Sequence, residues 1–142
     1  MTSCVDASFL FSLYVLDVNS SAASAKMKRA VLPLLLTDVG KIEILNAVGL
    51  RLFRKELRPA QARKVYGLFR QDIEQGVVHI VPLPAAAYQQ AEQIARAHTP
   101  LLGTRTLDVL HVAGALVLKA DAFYTFDKKQ AKLAAALGLR VP

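Results

Sequence analysis

Short, almost wholly apolar, β-prone runs alternate along this chain with longer segments of helical period, and that alternation limits the fold more than any other feature. The runs are "SCVD" (3–6), "LPLLLT" (32–37), "VVHIVPL" (77–83), "AFYTFD" (122–127) and a last short "GLRVP" (138–142). Between them, Ala7 to Leu16 reads as an apolar helix, and Asn19, Ser20 or Ser21 can cap a second helix ending near Pro33. Thr37 or Asp38 can cap a third, whose apolar Val39, Ile42, Leu45, Ala47, Leu50 and Phe53 recur near the helical period. Pro59 suits the first turn of a fourth helix and Gly76 its end, and Pro84 to about His98 and Arg105 to Lys119 complete the series. Strands separated by helices predict an α/β architecture around a largely parallel sheet.

In such a sheet, ligands bind beyond the carboxyl ends of the strands, where helix N-termini also point. Acids at those places are therefore informative. Asp6 closes the first run and Asp127 the fourth. Asp108 falls one turn into a helix capped by Thr104, near the positive end of its dipole, yet it sits among Leu107, Val109, Leu110 and Val112, where an unpartnered carboxylate is costly to bury. Glu43 lies in the second turn of the third helix, with Asn46 at i+3 on the same face. All four acids can converge on one sheet edge. Two carboxylates about 5 Å apart repel by roughly 3 kcal/mol at an effective dielectric near 20. Each acid alone is more often a helix cap than a ligand, but four together call for a hard divalent cation such as Mg²⁺ or Mn²⁺, which takes oxygen ligands.

The chain of 142 residues has the length of one ordinary domain, and no linker, repeat or low-complexity tract divides it. A hydrophobic share of 54% against 20% charged residues excludes disorder and leaves apolar surface for a dimer or partner face. Cys4, the only cysteine, rules out an intramolecular disulfide and a cysteine metal cluster, and fits a reducing cytosol. No apolar run approaches the ~20 residues that cross a bilayer, and the N-terminal stretch is broken by Asp6 and Asp17 with no positive leader, so a cytoplasmic protein with no membrane association is expected. The net charge of +7, from 18 Lys and Arg against 11 Asp and Glu, makes a polyanionic partner physically reasonable. The run "RLFRKELRPAQARK" (51–64), with Arg51, Arg54, Lys55 and Arg58, is the candidate contact surface; a solvated helix face is the alternative.

The motifs "VDASFL", "TDVGKIEILNAV", "TRTLDVLHVAGAL" and "YTFDKKQAKLAAALGL" occur in this order from Val5 to Leu139. Together they resemble the successive motifs of PIN-domain nucleases, in particular VapC-like toxins of toxin-antitoxin modules. The resemblance implies one PIN domain over residues 1–142, built as a three-layer α/β/α sandwich with a central, mainly parallel sheet. It further implies Mg²⁺- or Mn²⁺-dependent endoribonuclease activity that leaves a 5′-phosphate and a 3′-hydroxyl. Asp6, Glu43, Asp108 and Asp127 would then be the catalytic, metal-binding quartet, supported by Ser8, Asn46 and Thr125; from charge alone, Arg51, Arg54, Lys55 and Arg58 are the residues expected to contact RNA. The implied partners are an antitoxin, whose C-terminal segment lies across a groove beside the acids, and a second copy of the chain in a homodimer or larger toxin-antitoxin complex. The apolar stretch Phe9 to Leu16 and a row including Leu50 and Phe53 are the candidate partner faces.

Competing chemistries are poorly supported by the residues. His79, His98 and His111 have no mutual spacing that builds a zinc site, although His111, three residues after Asp108, could orient it. Cys4 has no base beside it, and the seven glycines form no phosphate-cradling loop. A haloacid-dehalogenase-type phosphatase would need a second Asp where Ser8 stands, and a response regulator would need an acidic pair and a late lysine that are missing. Two alternatives stay open: a noncatalytic PIN-like module that binds RNA or protein, and an RNA-processing PIN nuclease outside any toxin module.

Overall fold

The computed structural model describes Met1–Pro142. Strands β1 (Ser3–Val5), β2 (Leu34–Thr37), β3 (Val78–Val81) and β4 (Ala122–Tyr124) form one sheet in the order β3-β2-β1-β4, and every pairing is parallel. Helices α1 (Ala7–Tyr14) and α2 (Ser20–Met27) connect β1 to β2, α3 (Asp38–Phe53) and α4 (Pro59–Glu74) connect β2 to β3, and α5 (Ala86–Leu102) and α6 (Thr106–Val117) connect β3 to β4. A last helix, α7 (Lys128–Ala136), follows β4.

Side chains alternate across the pleat and so serve two helical layers. Cys4 and Phe123 pack with Ala91 and Ile94 of α5, Val112 of α6 and Leu133 of α7. Val5, Leu34, Leu36, Ala122 and Tyr124 face the other way, onto Phe9 and Leu10 of α1, Ile44 of α3 and Phe69 of α4. A smaller cluster of Phe11, Val48, Leu57, Ala62 and Val65 locks α1, α3 and α4 together. The result is the three-layer α/β/α sandwich with a parallel sheet that the motifs implied. Phe9, Leu10 and Leu36 are almost fully buried, and each such side chain contributes roughly 1.5–3 kcal/mol by leaving water.

The strand order places the site. From β1 the chain winds outward to β2 and β3, then returns to lay β4 on the opposite side of β1. Connections leaving neighbouring strands in opposite directions open a crevice at their carboxyl ends, here between β1 and β4. The backbone N–H of Asp6 donates to the carbonyl of Tyr124 at 3.1 Å and fixes that edge.

Several element ends differ from expectation. The first helix stops at Tyr14, not Leu16, because Val15 is extended and Asp17 then draws in the Ser12 hydroxyl and the Asn19 N–H to turn the chain. The second stops at Met27, well short of Pro33: the Arg29 and Ala30 N–H groups donate to the Lys26 and Met27 carbonyls in tighter turns that close the helix before the chain extends into β2. Helix α5 runs through Pro100 to Leu102 and ends where Gly103 adopts φ +65°, the left-handed conformation that glycine takes at little cost. The segment "GLRVP" is not a fifth strand. It makes a single bridge, Ala122 to Arg140, and Pro142 has no N–H to extend it.

Candidate active site

Asp6 stands at the first residue after β1 and caps α1: its Oδ1 accepts from the Phe9 N–H at 3.0 Å. Its carboxylate also accepts from the Ser8 hydroxyl at 2.7 and 2.9 Å and from the Thr125 hydroxyl at 2.6 Å. Those two hydroxyls are themselves oriented by backbone donors, Phe126 N–H to Ser8 and Asp127 N–H to Thr125, both at 3.0 Å. Asp6 is 1% exposed; no cation hydrogen-bonds to it, though it feels the charge of His111. Burial pushes its carboxyl up from the ordinary 3.8 to about 6, against the opposing pull of the Thr125, Ser8 and Phe9 hydrogen bonds and of the His111 charge. A charge held by three neutral donors, with only the charge of His111 to offset it, remains costly.

Asp108 and Asp127 meet where the N-termini of α6 and α7 approach. The cap of α6 is Arg105 rather than Thr104, because Asp108, at the third helical position, reaches back to accept from the Arg105 N–H at 2.9 Å. On its other oxygen Asp108 accepts from Gln130 Nε2 at 3.1 Å, and both residues are buried. Asp127 lies beyond the end of β4 and caps α7, accepting from the Gln130 N–H at 2.9 Å. The Arg105 guanidinium spans both acids, 3.8 Å from Asp108 Oδ2 and 3.7 Å from Asp127 Oδ2.

Glu43 enters from α3, which Thr37 caps through the Gly40 N–H at 3.1 Å. Its partner is His111, whose Nε2 lies 3.2 Å from Glu43 Oε2; the imidazole thus faces Glu43 and not Asp108. Burial alone would lower the basicity of His111. The hydrogen bond and charge of Glu43, with the charges of Asp6 and Asp108, outweigh it, and the imidazole holds its proton above the ordinary range.

The four acids of the expected quartet line one cleft of about 440 Å³, joined there by Asp17. Five carboxylates thus face two guanidiniums, Arg51 and Arg105, and Arg51 is already paired with Glu56 at 3.2 Å and stacked over Phe11. The excess negative charge and the hard, all-oxygen donor set fit a divalent cation such as Mg²⁺ or Mn²⁺. As they stand, the acids line the cleft rather than close on one point, each held by donors of its own chain.

The remaining expected residues divide. Ser8 and Thr125 hold Asp6, as above. Asn46 is exposed and lies outside the cleft, whose α3 wall is the stripe Glu43, Ala47, Arg51; a step of three residues carries Asn46 past Glu43 on the other side. Arg54, Lys55 and Arg58 are exposed at the corner between α3 and α4, away from the lining. His79 is exposed on β3, and the buried Cys4 thiol is pushed by burial up to about 12, which removes it as a nucleophile. Gln130 and Arg105 were not anticipated. The signal for Arg105 was its place three residues before Asp108; Gln130 had none beyond following Asp127 by three.

A sequence model of the PIN domain matches residues 3–136. No curated protein sequence matches the chain. Among solved structures, VapC20 of Mycobacterium tuberculosis, a sarcin-ricin-loop-cleaving toxin, superposes with a TM-score of 0.72 at 17% identity, over 99% of this chain and 98% of that one. FitAcB of Neisseria gonorrhoeae gives 0.69 at 16% identity over 99% and 96%. PAE2754 of Pyrobaculum aerophilum gives 0.63 at 15% over 99% and 89%. At such identities the likeness is one of fold.

Proposed function

The chain belongs to the PIN domain family, and from that premise we propose that residues 1–142 are a single PIN domain acting as a divalent-metal-dependent endoribonuclease, the toxin of a toxin-antitoxin module. The observation that carries this reading is the charge imbalance at the switch point of the sheet, where Asp6 is buried with no ion pair of its own among four other carboxylates, offset only by the charge of His111.

A bound Mg²⁺ or Mn²⁺ would supply Lewis acidity and a more acidic water. Asp6 and Asp108 would hold it directly; Ser8 and Thr125 fix the one, Gln130 and the Arg105 N–H the other. Glu43, steadied by His111, would orient a water, and Asp127 would add a further oxygen ligand to that edge of the cleft. Arg51 stands at the cleft mouth, with Arg54, Lys55 and Arg58 along the adjoining corner, and these draw in the RNA backbone.

The partners follow from the same family premise: a cognate antitoxin and a second copy of the chain, in a homodimer or a larger assembly in the cytoplasm. In support, Ile42, Leu45, Leu50 and Phe53 of α3 and Leu16 beyond α1 are exposed apolar groups, and no helix is long and apolar enough to cross a membrane. The toxin assignment also draws on the likeness in fold to VapC20.

The test is to incubate purified, partner-free protein with a structured RNA bearing single-stranded loops, and with DNA of the same sequence. RNA alone should be cut, with Mg²⁺ or Mn²⁺ and not with EDTA, leaving 5′-phosphate and 3′-hydroxyl ends. An intact RNA in every divalent metal would refute the proposal.

A further inference from the structure

Arg105 is placed unlike any other cation in the molecule. Its guanidinium reaches two acids of the quartet where the buried His111 imidazole reaches only Glu43, yet its side chain is 78% exposed and both contacts, 3.7 and 3.8 Å, are longer than hydrogen bonds. It is therefore held by charge alone and is free to leave. The same residue borders both the acid cleft and a second groove, of about 450 Å³, between α5 and α6.

Its backbone plays a separate part. The Arg105 N–H and Gln130 Nε2 hold Asp108 from within, so the carboxylate keeps its orientation after the guanidinium moves away. The oxygens that the guanidinium faces, on Asp108 and Asp127, are also oxygens proposed to bind metal. Guanidinium and divalent ion would thus compete for one edge, and a displaced arginine, planar and permanently charged, is suited to a phosphate by its paired donors.

We propose that Arg105 is a built-in counter-ion: it neutralises the Asp108–Asp127 edge in the metal-free protein, yields that edge to a divalent cation, and then engages a phosphate of the RNA at the cleft mouth. The second half rests on the nuclease reading; the first does not.

The test uses the full chain with Arg105→Gln, which removes the charge at nearly constant length, and Arg105→Lys, which keeps the charge without the fork. Mn²⁺ affinity is measured by calorimetric titration, and RNA cleavage in single turnover at saturating Mn²⁺. Arg105→Gln should bind Mn²⁺ roughly three- to tenfold more tightly than wild type, as expected from losing two exposed competing ion pairs. It should also cleave RNA roughly tenfold or more slowly, as for loss of a donor to a developing phosphate charge. Arg105→Lys should keep wild-type Mn²⁺ affinity and still cleave slowly. Equal or weaker Mn²⁺ binding by Arg105→Gln, or no Mn²⁺ binding by either protein, overturns the counter-ion role. Tighter binding with undiminished cleavage overturns the transfer to phosphate. If wild type cuts no RNA while Arg105→Gln binds Mn²⁺ more tightly, the nuclease reading falls and the counter-ion role stands.

Discussion

Gln130 Nε2 donates to Asp108 Oδ1 at 3.1 Å while its own Oε1 is buried with no partner, so one amide both steadies an acid of the cleft and leaves an acceptor unsatisfied. An orphaned buried acceptor costs about 1–3 kcal/mol. Gln130→Leu should therefore leave metal-free stability within about 1 kcal/mol of wild type, the lost donor offset by the deleted orphan, while RNA cleavage falls. Gln130→Glu instead sets a second buried carboxylate against Asp108. It should lower the melting temperature in EDTA by several degrees, with Mn²⁺ restoring more of that loss than it adds to wild type. Thermal melts with and without Mn²⁺ check both; a Gln130→Glu protein as stable in EDTA as wild type contradicts the link.

Asp6 and His111 give the metal-free protein a stability that declines with rising pH. A carboxyl raised from 3.8 to about 6 binds a proton in the folded state that the unfolded chain has released. Its contribution is fully present below about pH 4 and is lost as pH climbs through about 6, a change of about 3 kcal/mol. His111, raised above 6.5, contributes below that value, and its share is lost as pH passes its higher folded-state value. Denaturant unfolding in EDTA from pH 4 to 8 should show this fall, and Asp6→Asn should flatten its lower part. Stability that rises over that range in wild type would contradict the assignment.

The basic corner is tested by salt. If Arg54 and Arg58, both exposed, meet RNA phosphates, reversing both charges should reduce the log–log salt slope of RNA binding by roughly two contacts' worth. An unchanged slope returns the corner to a solvated face.

The proposed partner face is narrower than the apolar run Phe9 to Leu16 suggested. Leu13 packs against the core, whereas Leu16 and Phe53 are 94% and 84% exposed. Leu16→Glu and Phe53→Glu should weaken antitoxin capture in a pull-down while leaving RNA cleavage within about twofold of wild type. Both variants holding the antitoxin normally would assign that surface elsewhere.

The fold was legible because its signals are local. Each strand is a compact apolar run, and Asp6, Thr37 and Asp127 cap the helices that follow three of them, so acids and strand ends are marked together. What was hidden depends on distant approach. His111 and Glu43 are 68 residues apart, and no spacing reveals that the imidazole turns to Glu43. Gln130 gains meaning only when α7 comes beside α6. Asn46 was misplaced for a geometric reason: i+3 and i+4 both neighbour Glu43, and the packing of α3 chose the side of Ala47 and Arg51.

The most direct measurement of the central claim is RNA cleavage by Asp6→Asn and Asp108→Asn in saturating Mn²⁺, beside a circular-dichroism melt of each. Both side chains are buried at the carboxyl edge of the sheet and neither is needed as an anion to hold the core. Both proteins should stay folded, bind Mn²⁺ at least roughly tenfold more weakly and lose cleavage by a factor of about a hundred or more. Folded variants that cut RNA at the wild-type rate would contradict the claim.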